Sequence, residues 1–165
     1  LGFSPIAFIF ANKTFTKKEN KMSWIRIWVH LVFSTKKREA YFFKKEIKEK
    51  VINHIKTNAK KKEIWLEEIG GDKDHLHCLI SLGKDQTISK ISQLIKGESS
   101  KWINDNKLTK TKFFWQDDYW AVSVSESHIE SVKEYIQNQE EHHRTKSFTE
   151  EVEEFMKKYG WKYVK

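Results

Sequence analysis

Residues 24–33 alternate in character one by one. Ile25, Ile27, Val29, Leu31 and Phe33 share one side, while Trp24, Arg26, Trp28, His30 and Val32 share the other. A period of two in β-branched and aromatic residues predicts a strand. One face is wholly apolar and suits a core; the other mixes aromatics with Arg26 and His30 and has room for a site. Phe43, Ile47, Val51 and Ile55 then recur every four residues among lysines, which predicts a helix over 39–59. A second strand is expected over 63–69, ended by the turn signal Gly70-Gly71-Asp72-Lys73, and a third over 75–82, closing a hairpin. Thr87 suits the N-cap of a second helix carrying Ile88, Ile91, Ile95 and Trp102. A fourth strand falls within 113–124. Ser127-x-x-Glu130 has the form of a capping box opening a last long helix toward Arg144, and a tail helix is expected over 149–159.

The order β-α-β-β-α-β followed by a helix is that of the α+β, ferredoxin-like plan: a four-stranded antiparallel sheet with two helices on one face and the other face open to a further helix or a ligand. Fold alone assigns no function. The first 21 residues differ from the rest, weakly apolar to Phe10, then polar up to Met22. They read as a leader or non-native extension, with a docked extra strand as the alternative. The expected division is 1–21 leader, 22–146 folded domain and 147–165 a helical tail.

A chain of 165 residues, 38% hydrophobic and 14% aromatic, is long enough for one domain with a real core. Its single cysteine excludes a disulfide framework and a multi-cysteine zinc site and suits a reducing cytoplasm. No apolar run approaches the roughly 18 residues of a membrane span. The net charge of +8 is concentrated: residues 36–62 hold 11 Lys/Arg against 3 Asp/Glu, and 84–112 hold 7 against 3. Segregated positive charge favours a polyanionic partner, nucleic acid foremost, although a solvated lysine-rich helix face gives the same pattern.

His75 and His77 lie two apart on a strand, so both point to one face, at about 6–7 Å along the chain. Two imidazoles so placed can converge on one divalent ion, with Asp74 before them able to orient a ring or sit on the turn. Two ordinary surface histidines on a sheet give the same spacing. On the last helix, at about 100° per residue, His128, Gln139 and His142 all fall within about 40° of Tyr135. This polar stripe borders the apolar stripe of Ile129, Val132 and Ile136. Residues at the edge of a docked face are held in place yet reach a cleft, and that suits catalysis as well as it suits a partly buried tyrosine beside a solvated face.

Five blocks occur in order: Trp28-Val-His-Leu-Val-Phe-Ser-Thr-Lys-Lys-Arg38, Gly70-Gly-Asp-Lys-Asp-His-Leu-His77, Lys96-Gly-Glu-Ser-Ser-Lys-Trp102, Ser123-Val-Ser125 and Tyr135-Ile-Gln-Asn-Gln-Glu-Glu-His-His143. Together they resemble the single-tyrosine HUH transposases, the TnpA-like family of small insertion sequences that includes the REP-associated tyrosine transposases. The likeness covers about 22–144. The departure is Asp118-Tyr119-Trp120, where the resemblance leads one to expect glycine before the tyrosine.

The resemblance implies a DNA transposase that cleaves and rejoins single-stranded or hairpin DNA through a 5′-phosphotyrosine. Tyr135 matches the family's nucleophile. His75, His77 and Gln139 match its Mg²⁺ or Mn²⁺ ligands, and a homodimer is the family's form. His142, His128 or a metal-bound water would move the tyrosine proton. Lys36, Lys37 and Arg38, at the end of the first strand, and Lys96 and Lys101, on the second helix, are placed to hold phosphates. Trp102, Trp115 and Trp120 are core residues or base-stacking platforms. A non-catalytic RRM-like nucleic-acid-binding module and a domesticated transposase are the alternative readings. A prokaryotic, cytoplasmic and nucleoid-associated location goes with the family.

Overall fold

The first strand, β1 (Ile27–Ser34), lies inside a four-stranded sheet of order β2-β3-β1-β4, with β2 at Trp65–Asp72, β3 at His75–Leu82 and β4 at Trp120–Val124. Every pairing is antiparallel. The computed structural model of the protein describes residues 25–139 together with Glu150 and Glu153. The leader over 1–21, the run of the last helix to Arg144, His142 and nearly all of the tail lie outside those residues; Glu150 and Glu153 are themselves helical.

The alternation in β1 divides the molecule as its sequence requires. Leu31 and Phe33, with Leu76, Cys78 and Ile80 of β3, pack against Val51, Ile55 and Ala59 of α1 (Lys45–Lys61) and Ile91, Ile95 and Ile103 of α2 (Ile88–Asp105). The opposite face holds a smaller apolar cluster, in which Trp28 and Leu79 meet Ile129 and Ile136 of α3 (Ile129–Gln137). Burying one such isoleucine contributes roughly 1.5–3 kcal/mol, enough to dock a short helix with help from its polar edges. That help comes from Gln137 Nε2, which donates to Glu68 Oε2 at 2.7 Å, and from Lys133, 3.3 Å from Glu67. The ferredoxin-like expectation is thus met, with α3 added on the open face.

Three local expectations are corrected. The first helix begins at Lys45, not near Glu39, because a 3-10 turn at Lys36–Arg38 comes first and the Phe42 N–H donates to Lys73 O at 2.9 Å. Phe42 is therefore the aromatic residue that enters the core, beside Phe113 and Trp115, while Phe43 is 82% exposed. The capping box does not form either. A 3-10 turn at Glu126–His128 leads into α3, His128 occupies the N-cap without a side-chain bond to the helix, and Ser127 Oγ meets His128 Nδ1 instead. Glu126 explains this entry, since Trp28 Nε1 donates to it at 2.9 Å and Arg26 pairs with it at 2.9 Å, pinning the turn to β1.

The third correction concerns Gly70 and Gly71, which lie within β2 rather than in the hairpin turn. Gly70 pairs with His77, and a Cβ there would stand 2.4 Å from the carbonyl oxygen of Ile136. A Cβ on Gly71 would stand 2.2 Å from His75 O. These glycines serve close backbone approach, which is the other reason a strand carries glycine. Gly70→Ala is expected to push α3 off the sheet, lowering stability by about 1–3 kcal/mol and any activity needing Tyr135 beside His77 by about tenfold or more. Parallel melting and activity measurements check this, and unchanged values would show that the close approach is dispensable.

Candidate active site

β3 puts His75 and His77 on the sheet face that α3 covers, with Leu76 and Cys78 turned into the main core. Both histidines are at most 1% exposed, and their rings lie 5.0 Å apart. Each is held through Nδ1. His75 Nδ1 lies 2.7 Å from Asp74 Oδ1, and His77 Nδ1 lies 2.9 Å from Nε2 of the buried His30 on β1. Burial pushes the His30 pKa down to about 4, so at neutral pH it is an uncharged ring. With the proton on Nδ1 of each ring, Nε2 is the nitrogen that would carry the lone pair for a metal.

Asp74 has a second partner: Arg38 Nε donates to its Oδ2 at 3.0 Å, and a terminal guanidinium nitrogen of Arg38 lies 2.9 Å from the same oxygen. Burial alone would raise the Asp74 pKa, but the hydrogen bond from His75 and the Arg38 charge outweigh it and hold the carboxyl below its usual range. Arg38, expected among the phosphate-holding residues, is thus engaged in a chain Arg38–Asp74–His75. Asp74 does both things its position suggested, meeting a ring and sitting on the turn between β2 and β3. Should the histidine pair bind Mn²⁺, Asp74→Asn is expected to weaken that binding about tenfold to a hundredfold, read by calorimetry; unchanged affinity would exclude a positioning role.

Helix α3 brings Tyr135 over this pair. Its ring lies 5.7 Å from His77 and 6.1 Å from His30, edge to face in both cases. Gln139, one turn on, is 1% exposed, and its Nε2 donates to Tyr135 O at 3.3 Å. Four of the residues marked in the sequence, His75, His77, Tyr135 and Gln139, therefore lie on the α3-covered side of the sheet. His128 is not among them: it is exposed at the start of α3, and its Nδ1 lies 2.6 Å from Ser125 Oγ. His30 is the participant that the sequence showed only as a polar residue on the mixed face of β1. Trp120 also joins, 5.7 Å from the His30 ring, whereas Trp115 is core, its Nε1 donating to Ser99 Oγ at 3.0 Å. Trp102 stacks on His54 at 4.0 Å.

The lysines are spread more widely. Lys36 pairs with Asp117 at 2.7 Å; Lys96 Nζ donates to Asp117 O at 2.7 Å and Asp118 O at 3.2 Å; Lys101 pairs with Asp105 one turn on. Lys37 is exposed with φ 55°, in the left-handed region, on the turn that follows β1. Among the described residues no three His, Cys, Asp or Glu side chains cluster closely enough to hold a metal by themselves. A cation here would take two imidazole nitrogens and an amide oxygen, a borderline and hard donor set that suits Mg²⁺ or Mn²⁺ with open positions better than zinc. The buried pair with both Nδ1 atoms engaged fits that use.

Fold and site together define a ferredoxin-like α+β domain in which a tyrosine-bearing helix closes the open sheet face over a pair of strand histidines. The chain belongs to the IS200-like transposase family, whose model matches residues 23–139. Among solved structures it is similar to a Deinococcus radiodurans R1 protein provisionally assigned as a transposase, at 21% identity and TM-score 0.58, over 75% of this chain and 98% of that one. It is also similar to a REP-associated tyrosine transposase bound to a REP hairpin, at 14% identity and TM-score 0.56, over 78% of this chain and 74% of that one. At those identities the likeness speaks for the fold. No curated protein matches the chain at a significant level. Among the described residues no helix is long and apolar enough to cross a membrane.

Proposed function

We propose that the protein is a metal-dependent tyrosine DNA endonuclease and strand transferase, cutting and rejoining single-stranded or hairpin DNA at the ends of an insertion element. The observation that carries the reading is the position of Tyr135, edge-on 5.7 Å from the ring of His77, in a chain of the IS200-like transposase family. The hairpin bound to the REP-associated relative supports hairpin DNA as the ligand class.

In this mechanism His75, His77 and Gln139 would hold Mg²⁺ or Mn²⁺. The bound cation would neutralise the non-bridging oxygens of the scissile phosphate and polarise the phosphorus. Asp74 and His30 hold the two imidazoles through Nδ1, which would leave Nε2 to the cation. The Tyr135 hydroxyl attacks phosphorus, its proton passing to a base such as His142 or to solvent, and the 3′-oxygen of the upstream strand leaves. The DNA 5′-phosphate is then esterified to Tyr135, and a free 3′-hydroxyl remains. Because one phosphodiester replaces another, the 3′-hydroxyl of a second strand can reverse the step and join new ends without ATP. Lys36, Lys37, Lys96 and Lys101 supply the positive surface along which the backbone lies, with Arg38 shared between that role and Asp74. The working form is a homodimer in the cytoplasm, at the nucleoid. The leader and tail boundaries at 21 and 147 belong to the same reading.

The test is the polarity of the cut. Single strands covering both flanks of the gene, labelled at either end, are incubated with protein and Mg²⁺ or Mn²⁺. The reading requires a 3′-hydroxyl that a polymerase extends and a 5′ end blocked by protein. Hairpin binding with no cut on either strand, with either metal, would favour an RRM-like binding module or a domesticated transposase.

A further inference from the structure

A cavity of about 520 Å³ lies between α2 and the segment 113–119, on a different wall of the molecule from the Tyr135 cluster. Its size falls within the range of small-molecule sites, roughly 300–1,000 Å³. Trp115 lines its inner side, while Phe114 and Tyr119 are 47% and 38% exposed. Partly exposed aromatic rings beside a cavity leave apolar surface for whatever enters.

Gly97 is the second observation. It stands in the middle of α2, where glycine costs about 1 kcal/mol relative to alanine, and it lines the cavity. A Cβ built on Gly97 meets nothing within 4 Å, so the protein's own packing does not require glycine there. Its absence of a side chain keeps the cavity wall low.

Charge is the third. Lys96 lies 5.7 Å from the Tyr119 ring centre and Lys112 lies 5.2 Å from that of Phe114, so a cation sits over each exposed ring. The Asp117 carboxylate at the cavity is countered by Lys36 at 2.7 Å. The amides of Gln93 and Gln116, also at the cavity, offer hydrogen bonds to a planar edge. A flat apolar ring with polar edges and an attached anion matches this arrangement: a nucleobase with its phosphate.

The cavity connects to the candidate active site through the backbone. Gln116 N donates to Ser34 O at 2.8 Å, Thr35 bridges to Trp115, and Ser34 pairs with His75 across the sheet. Trp120, the residue after Tyr119, packs on His30. The segment that carries Phe114 and Tyr119 is thus tied directly to the strands that carry the histidines.

We propose that this cavity receives one unpaired base of the DNA strand that Tyr135 cuts, stacked by Phe114 or Tyr119, with its phosphate toward Lys96 at the cavity wall. The inference rests on the DNA-cleaving reading above. Its test measures metal-free binding of fluorescent single strands covering both flanks of the gene, intact or with one base at a time removed to an abasic site. Gly97→Leu fills the cavity from a position where a side chain has room and favours helix, and Tyr119→Ala removes an exposed ring; melting curves establish that each variant is folded. Each variant is expected to bind the intact strand about tenfold more weakly, and one abasic position is expected to weaken wild-type binding equally while adding nothing further in Gly97→Leu. If wild type binds and cuts these strands but no abasic position is coupled to Gly97 or Tyr119, the cavity assignment falls and the DNA-cleaving reading stands. If wild type binds none of them, both fall.

Discussion

Tyr135→Phe is expected to abolish covalent attachment to DNA, reducing cleavage by at least about a thousandfold, while hairpin affinity changes by less than about twofold. The substitution removes one oxygen. The ring keeps its edge-on contacts with His77 and His30, and Ile129 and Ile136 continue to dock the helix. A nucleophile's loss is felt in the chemical step and hardly at all in binding. Labelled single strands, analysed on a denaturing gel for attachment and by anisotropy for binding, separate the two effects. Attachment that persists in Tyr135→Phe would assign the nucleophile to another residue, and weakened binding would make Tyr135 a contact rather than a nucleophile.

His77→Ala should act through the metal. It would delete one proposed Nε2 donor and remove the buried 2.9 Å contact with His30 Nε2. Losing that buried contact alone would cost about 1–3 kcal/mol of stability, so lost cleavage by itself would not distinguish a ligand from a structural residue. The ligation reading makes a separate prediction. Mn²⁺ at a hundred times its dissociation constant stabilises wild type by about 2.7 kcal/mol, raising its melting temperature, and should leave that of His77→Ala unmoved. Cleavage should fall by a hundredfold or more, about 3 kcal/mol of lost transition-state stabilisation. A metal-induced shift of equal size in the variant would remove His77 from the ligand set.

Much of this organisation was legible because it rests on periodicity. The alternation of β1 placed Leu31 and Phe33 in one core and His30 with Trp28 on the other face, and His75-Leu76-His77 could be split between faces by the same rule. The Thr87 cap was also readable, since its side chain accepts from Lys90 N three residues on. What escaped depends on contacts distant in sequence. Gly70 and Gly71 have the composition of a turn, and only the approach of α3 and the return of β3 show that they are strand positions. Phe43 fits the helical repeat better than Phe42 does, but the Phe42 bond to Lys73 delays the helix. The Ser127 capping box was overridden by the contacts of Glu126 with Trp28 and Arg26.

The candidate site divides the same way. That His75, His77 and Tyr135 lie on one side of the sheet could be read from spacing, because strand and helix periods decide which side chains share a face. The residues that support them could not. His30 is 47 positions from His77, and Arg38 is 36 from Asp74; neither separation has a sequence signature. Arg38 in particular carries the composition of a phosphate contact and spends its guanidinium on a carboxylate.

The central claim is a covalent bond between Tyr135 and DNA, and the most direct measurement is the mass of the joined peptide. Protein is incubated with single strands from the gene's flanks and Mn²⁺, the DNA is trimmed with nuclease, the protein is digested, and the nucleotide-bearing peptide is sequenced by tandem mass spectrometry. The account predicts a single modified peptide, with the nucleotide 5′-phosphate on the Tyr135 oxygen and none formed when the metal is chelated. A nucleotide carried by any other residue, or none on Tyr135 while the strands are being cut, would contradict it.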